Sequence, residues 1–374
     1  MPTFVVTHVL PILGIGISDG MPVPSQLQKP PPALGGVERT AYDAARGKAA
    51  AAARGYFGDD FTHHFCGLGG PSPGPLINRG QHVRVAAVGS ICEQYLAATR
   101  GHDAQIVSIG AGFDTRFWQL SATGEAPRLF IELDQPLIVA RKSAIIAEEP
   151  TLLAALPEGA ACVGTASVTS ERYQLRAADV RDSVQLGQAL ADAGWDADRP
   201  TLVLLECVLV YLPPEEAVAV LTWFSQRSAR VVLAGYEQIK PGDAFGRTML
   251  ENLKRRDCPL LGLPACPELA SQVARCHAAG YARAEALDLE TYHGTVIVQA
   301  ERARTASLEL LDEIEEWQLL MQHYCVVLAV RDVLEAPMFE ALSLQAPVSR
   351  PFPVSSTPLA HGRLALQRPV SPPL

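Results

Sequence analysis

Short apolar runs separated by helical patterns set the layout of this chain. Residues 106–109, 129–133, 173–177, 201–205, 231–235, 282–287 and 325–330 read as seven strands. Runs such as Leu202-Val203-Leu204-Leu205 are continuous rather than alternating, which marks strands covered on both faces. Helical segments lie between them, for example 137–146 and 215–226. This alternation predicts an α/β fold with a doubly wound, mostly parallel seven-stranded sheet. Ahead of the first strand, the alanine-rich stretch 41–54 and a segment running from Ile77 to about Thr99 predict two helices. Two more segments exceed the minimal alternation. One is 242–256, with Phe245, Met249 and Leu253 at helical spacing; the other is 307–324, acidic at Asp312-Glu313 and Glu315-Glu316. Both predict helices laid over the carboxyl ends of the strands, where such sheets bind ligands.

The first strand runs into Gly110-Ala111-Gly112-Phe113-Asp114-Thr115, and Arg116-Phe117-Trp118 then opens a helix. A turn that presses backbone against a ligand has no room for a Cβ, so glycine belongs here. Acidic residues stand at or just after four strand ends: Asp114 after the glycine turn, Glu132 and Asp134 on the second strand, Asp179 after the third and Glu206 on the fourth. Asp134 lies about 20 residues past the turn, the spacing of a ribose-binding acid. A carboxylate after the second strand can accept from ribose hydroxyls, and one after the third from an adenine amino group. The pattern therefore predicts an adenosine-containing ligand. A dinucleotide fingerprint would place a third glycine where Thr115 stands. Acids around a glycine turn suit a cation, so the sulfonium of S-adenosylmethionine fits better than NAD. Its carboxylate end needs a cation, and Lys48 or Arg84 can supply one.

Composition narrows the reading further. The 374 residues suffice for one large or two modest domains with a sizeable core. A net charge of −9 argues against a nucleic-acid binder that works by neutralising phosphates. No apolar run reaches the length of a membrane helix. The apolar opening 1–17 lacks a basic start and is broken by Pro11, so it does not read as a secretory signal. Eight scattered cysteines form no CxxC pair, and the nine histidines show no metal spacing. Reduced core cysteines in a cytoplasmic protein without a metal are the expectation. Prolines punctuate residues 1–36 and again the stretch from 334 onward. These are read as a disordered lead, 1–36, and a disordered tail, 334–374, around a body of 37–333.

The chain resembles the leucine carboxyl methyltransferases, which methylate the C-terminal leucine of the protein phosphatase 2A catalytic subunit. Pro75-Leu76-Ile77-Asn78-Arg79-Gly80, Val83-Arg84-Val85 and the glycine turn carry the resemblance, with Glu132-Leu133-Asp134 and Ala178-Asp179-Val180-Arg181-Asp182. Glu206-Cys207-Val208-Leu209-Val210-Tyr211, Tyr236-Glu237-Gln238, Gly242-Asp243, Phe245-Gly246, Glu251-Asn252-Leu253 and His323-Tyr324-Cys325 extend it. It implies a methyltransferase sheet of the S-adenosylmethionine-dependent type and a monomer. Residue by residue, Lys48 and Arg84 would meet the carboxylate of the cofactor and Gly110 would give close backbone approach. Asp134 would hold the ribose, Asp179 and the Val180 backbone would bound the adenine, and Glu206 would take the amino group. Tyr211 would face the incoming leucine, with Arg84 as the second half of a clamp. Gln81-His82 stands where the family usually has an aromatic residue. A relative acting on a hypermodified tRNA base, a methyltransferase for a small carboxylate, an idle phosphatase-binding module and a nicotinamide oxidoreductase are the alternatives.

Overall fold

The computed structural model describes residues 35–66, 73–100, 103–157, 160–163 and 167–350. The lead expected over 1–36 falls almost wholly outside them, as does the tail beyond 350. The strands are β1 Gln105–Ile109, β2 Leu129–Asp134, β3 Ala161–Val163, β4 Ser167–Thr169, β5 Tyr173–Ala177, β6 Thr201–Glu206, β7 Arg230–Gln238, β8 Arg283–Asp288 and β9 Tyr324–Asp332. They form one sheet in the order β3-β4-β5-β2-β1-β6-β7-β9-β8. The five central strands, β5 to β7, are parallel; β9 runs antiparallel between β7 and β8. All seven expected strands are present. The two additional ones, β3 and β4, form a short antiparallel hairpin on the β5 edge. Strands of three residues carry no period for a sequence reading to detect.

Side chains alternate across this sheet and build a core on each face. Ile106, Phe130 and Leu202 pack to one side with Phe117, Trp118 and Tyr173. Their neighbours Val107, Ile131 and Val203 pack to the other with Leu186, Val220 and Phe224. Both faces are covered, so β1, β2, β6 and β7 are buried along almost their whole length. The covering helices are α1 Gly36–Ala53, α2 Pro75–Ala98, α3 Arg116–Thr123, α4 Pro136–Glu148, α5 Pro150–Ala154, α6 Ser183–Asp192, α7 Pro214–Arg227, α8 Ala244–Arg255, α9 Leu269–Ala278, α10 Leu289–Thr295, α11 Gln299–Ala306 and α12 Ile314–Gln322. Proline opens α2, α4 and α7, where its missing N–H costs nothing. Asp182 caps α6 and Asp243 caps α8 through backbone N–H groups of the first turn.

Two expectations are corrected. The helix expected over 307–324 is not continuous: α11 ends at Ala306 and α12 begins only at Ile314. Glu309 in the gap is drawn inward to accept from Asn78 Nδ2 at 2.8 Å and to pair with Arg54 at 3.2 Å. Leu310 is exposed while Leu311 is buried, an extended rather than helical alternation. The second correction concerns the expected disorder from 334. Phe339, Leu342, Leu344 and Val348 are buried in the core, and Val348 bridges Ile297. The stretch 334–350 therefore packs on the body, its prolines marking an irregular path and not a loose one. No helix among the described residues is long and apolar enough to cross a membrane.

Candidate functional site

The parallel register places Ile109 opposite both Leu133 and Leu205. Gly110, Asp134 and Glu206, the next residue on each strand, thus emerge at one level, at the point where the strand order reverses. A cavity of about 590 Å³ opens there. Lys48, Arg84, Gly110, Asp134, Asp179, Val180, Glu206 and Tyr211 all line it. Glu132 does not. It is fully buried and accepts from Lys142 Nζ and the Tyr173 hydroxyl. Burial pushes its pKa up to about 7, against the pull of Lys142. Two residues apart, Glu132 and Asp134 share a face of β2; Asp134 is the last residue of the strand and stands at its carboxyl edge, while Glu132 lies deeper in the sheet.

The turn after β1 is shaped for close approach. Gly110 and Gly112 have φ of 60° and 54°, in the left-handed region. A Cβ on Gly110 would lie 2.6 Å from Val208 Cγ2. Asp134 secures the turn: its Oδ2 accepts from the Gly112 N–H at 2.6 Å and its Oδ1 from Gln135 N at 2.7 Å. Each oxygen keeps a lone pair for a further donor. Burial raises the Asp134 pKa, and these two backbone bonds oppose the rise. Asp179 sits at the other end of the cavity, half-buried, bonded to Arg181, which lowers its pKa.

Glu206 is the electrostatic hub. Arg84 Nε donates to its Oε2 at 2.8 Å, Arg116 donates to its Oε1 at 2.8 Å, and Lys48 Nζ stands 3.7 Å from Oε2. Burial alone would raise its pKa; Lys48, Arg84 and Arg116 overrule this and hold it well below the carboxylate range. Arg116 also pairs with Asp114 at 2.6 Å. Three cations therefore face two carboxylates, leaving positive charge for an anionic group. The terminal nitrogens of Arg84 have no hydrogen-bond partner among the described residues, and its guanidinium carbon lies 4.7 Å from the Tyr236 ring centroid. Tyr236 in turn stacks on Tyr324 at 5.3 Å.

Helix α1 carries Lys48 across the mouth. Its first turn is pressed against the chain after α8, where a Cβ on Gly36 would meet the Asp257 carbonyl oxygen at 2.0 Å. Asp43 and Arg256 pair across the same contact at 2.7 Å. Tyr42 meets Phe113 edge-on at 4.8 Å. Tyr211 ends a 3-10 turn, Leu209–Tyr211, after β6. Burial holds its hydroxyl well above the usual phenol pKa, so it stays a proton donor. Apolar residues Val208, Leu212, Leu253, Leu320 and Met321 complete the wall near it.

Three contributors were not singled out from sequence. The sequence places Arg116 only as the residue that opens the helix after the glycine turn. Tyr236 and Glu237 stood in a recognised motif without a role. A basic residue two positions past Asp114, and an aromatic-acid pair at a strand end, were the available signals. No group of described His, Cys, Asp and Glu residues could hold a metal ion. Cys66, Cys92, Cys207, Cys258, Cys266, Cys276 and Cys325 are free thiols.

Residues 37–225 match the family model described as leucine carboxyl methyltransferase. The chain is 37% identical over 302 residues to leucine carboxyl methyltransferase 1 homolog of Arabidopsis thaliana, covering 80% of this chain and 90% of that one. It is 36% identical over 301 residues to leucine carboxyl methyltransferase 1 of Rattus norvegicus, covering 79% and 90%. It is also 38% identical over 321 residues to tRNA wybutosine-synthesizing protein 4 of Rattus norvegicus, covering 82% of this chain and 46% of that one.

Proposed function

The chain belongs to the leucine carboxyl methyltransferase family, and from that premise we propose that it methyl-esterifies the C-terminal leucine carboxylate of the protein phosphatase 2A catalytic subunit. S-adenosylmethionine is the methyl donor, and it supplies an electrophilic methyl carbon on a positively charged sulfur. The observation that carries this reading is the meeting of Lys48, Arg84 and Glu206 beside Gly110, in one cavity with Asp134 and Asp179. The open nitrogens of Arg84, with Lys48, suit a carboxylate. Glu206 suits an ammonium group, and Asp134 the two hydroxyls of a ribose. The close cradle at Gly110 suits a ligand lying on the backbone.

The acceptor carboxylate has an ordinary pKa of about 3.5 and is ionised at neutral pH. No general base is needed, and no histidine stands among the described residues that line the cavity. With the donor bound, its methyl would pass to one acceptor oxygen while its sulfur kept the electron pair of the broken carbon–sulfur bond. No proton moves. The protein's part is alignment and exclusion of water, for which orientation alone can lower a barrier by about 7–11 kcal/mol. Arg84 and the Tyr211 hydroxyl hold the acceptor carboxylate in line. Free thiols throughout the described chain support a reducing compartment, the cytoplasm.

Incubating the protein with labelled S-adenosylmethionine and purified phosphatase tests the reading. Label is expected on the intact phosphatase and not on one lacking its last leucine. Equal labelling of both rejects it. The similarity to tRNA wybutosine-synthesizing protein 4 supports a second reading, transfer to a modified tRNA base. The chain spans less than half of that relative, and a net charge of −9 opposes a polyanionic substrate. Label on total tRNA in a parallel reaction decides for it.

A further inference from the structure

β7 ends in three consecutive residues with separate tasks. Tyr236 and Gln238 line the cavity, while Glu237 between them turns to the other face and is 1% exposed. Its carboxylate is spent on backbone. Oε1 accepts from the N–H groups of Val208 at 3.3 Å and Leu209 at 3.1 Å, and Oε2 from Val210 at 3.0 Å. These three N–H groups open the 3-10 turn that ends at Tyr211. A turn that short leaves its first amides without partners unless an outside acceptor takes them.

That turn is under constraint. Cys207 stands at φ 57°, a backbone region non-glycine residues rarely adopt. Val208 is pressed toward Gly110, and Tyr211 is directed into the cavity. Strain of this kind persists only where surrounding contacts over-determine it. The Cys207 N–H bond to the Tyr236 carbonyl at 2.7 Å supplies one such contact, and Glu237 supplies the other three.

We propose that Glu237 is a positioning residue: through these three amides it holds the 207–211 turn so that Val208 closes on the glycine turn and Tyr211 reaches the acceptor. For its effect on the acceptor, this rests on the proposed methyl transfer; for its effect on the turn, it stands alone. The anion is the working form, because a protonated carboxyl would set a hydroxyl hydrogen among donors. Burial pushes the Glu237 pKa up to about 7, and Arg275 on α9 pulls it back. The other titratable groups facing it are the thiols of Cys207 on the turn, Cys266 ahead of α9 and Cys325 on β9. Burial raises all three, so they stay neutral around pH 7.

Amide hydrogen exchange of the peptide spanning 206–212 reads the turn directly, with no acceptor present. Exchange there is expected to quicken in Glu237→Gln, and in the wild-type protein as pH falls through about 7 once the intrinsic pH dependence of exchange is removed. Methyl transfer gives the second readout. Glu237→Gln should lower turnover by about 10²-fold, the scale of a misplaced positioning element, with S-adenosylmethionine affinity little changed. Arg275→Gln should move the acid limb of the wild-type pH profile upward and keeps the test alive should Glu237→Gln fail to fold. Unaltered exchange in Glu237→Gln, or a pH profile indifferent to Arg275→Gln, overturns the proposal. If the wild-type protein labels no leucine tail, the functional reading fails, and the exchange arm still decides on Glu237.

Discussion

Arg84 Nε donates to Glu206 Oε2 at 2.8 Å, while the terminal nitrogens of the same guanidinium have no hydrogen-bond partner among the described residues. The pair is therefore half-committed. Glu206 anchors one edge of the arginine, the Tyr236 ring lies against its face, and the remaining donors are left for an anion. Removing Arg84 still leaves Glu206 with Arg116 at 2.8 Å and Lys48 at 3.7 Å. Arg84→Ala is thus expected to fold, with a melting temperature near that of the wild-type protein, and to lose turnover by about 10²-fold or more. Steady-state methyl transfer beside a thermal melt checks both halves. Activity within a few-fold of wild type would remove Arg84 from the clamp.

Gly110 meets two separate obstacles to substitution. Its φ of 60° costs an alanine about 1–2 kcal/mol. The new Cβ would also lie 2.6 Å from Val208 Cγ2, on a turn whose amides Glu237 already holds. Gly110→Ala should therefore lower the melting temperature and weaken S-adenosylmethionine binding by about tenfold or more, since 1.4 kcal/mol is one decade. Calorimetric titration reads the second effect. Unchanged affinity would mean that the ligand does not lie against this backbone.

Asp134 holds the glycine turn with both oxygens, at 2.6 Å and 2.7 Å, and is assigned the ribose as well. Asparagine would keep one acceptor and set an NH2 group against a backbone donor. Hydrogen bonds to a charged group contribute about 1.5–3 kcal/mol, so Asp134→Asn should weaken cofactor binding by about 10- to 100-fold. Turnover at saturating cofactor should recover most of the wild-type rate. A loss of turnover at unchanged affinity would assign Asp134 to the turn alone.

Parallel strands are legible because burial on both faces writes itself as unbroken apolar runs, as in Leu129 to Ile131 or Leu202 to Leu205. Gly110, Asp134 and Glu206 were legible because strand ends converge in any sheet of this type. Glu132 differs from Asp134 in depth and not in face: two residues apart they point the same way, and the sequence does not show which acid clears the end of the sheet. Arg116 and Glu237 act through partners about 90 and 30 residues away in sequence, Glu206 and Val208, and no local spacing encodes such pairs. The β3–β4 hairpin is too short to carry a period. Phe339, Leu342 and Leu344 sit among prolines that read as disorder, yet their burial depends on a groove made by distant elements.

Helix α2 is tied to α11 by a buried hydrogen bond to a carboxylate, and that contact adds to the acid sensitivity of the fold. His82 Nε2 lies 2.8 Å from Glu301 Oε1, both side chains are almost wholly buried, and Arg304 bonds the same carboxylate. With Glu301 as acceptor, His82 carries its proton on Nε2. Burial lowers the His82 pKa from 6.5, so the imidazole is neutral in the folded protein. The unfolded chain binds a proton there below 6.5, and stability from this group is lost as pH falls past that value. For Glu301, burial would raise the pKa from 4.5, but the bonds from Arg304 and His82 bring it to about 2. Its contribution is present above 4.5 and is lost as pH falls from there toward about 2. Both signs agree, so acid loosens the α2–α11 contact in two stages. Glu301→Gln should cost about 1.5–3 kcal/mol at neutral pH, the value of a charge-assisted hydrogen bond. The gap to wild type should narrow once the pH is below 4.5, where the native carboxylate begins to lose its advantage. Denaturant titrations of both proteins across that range measure the gap directly, and one that stays constant would remove the ion pair as its cause.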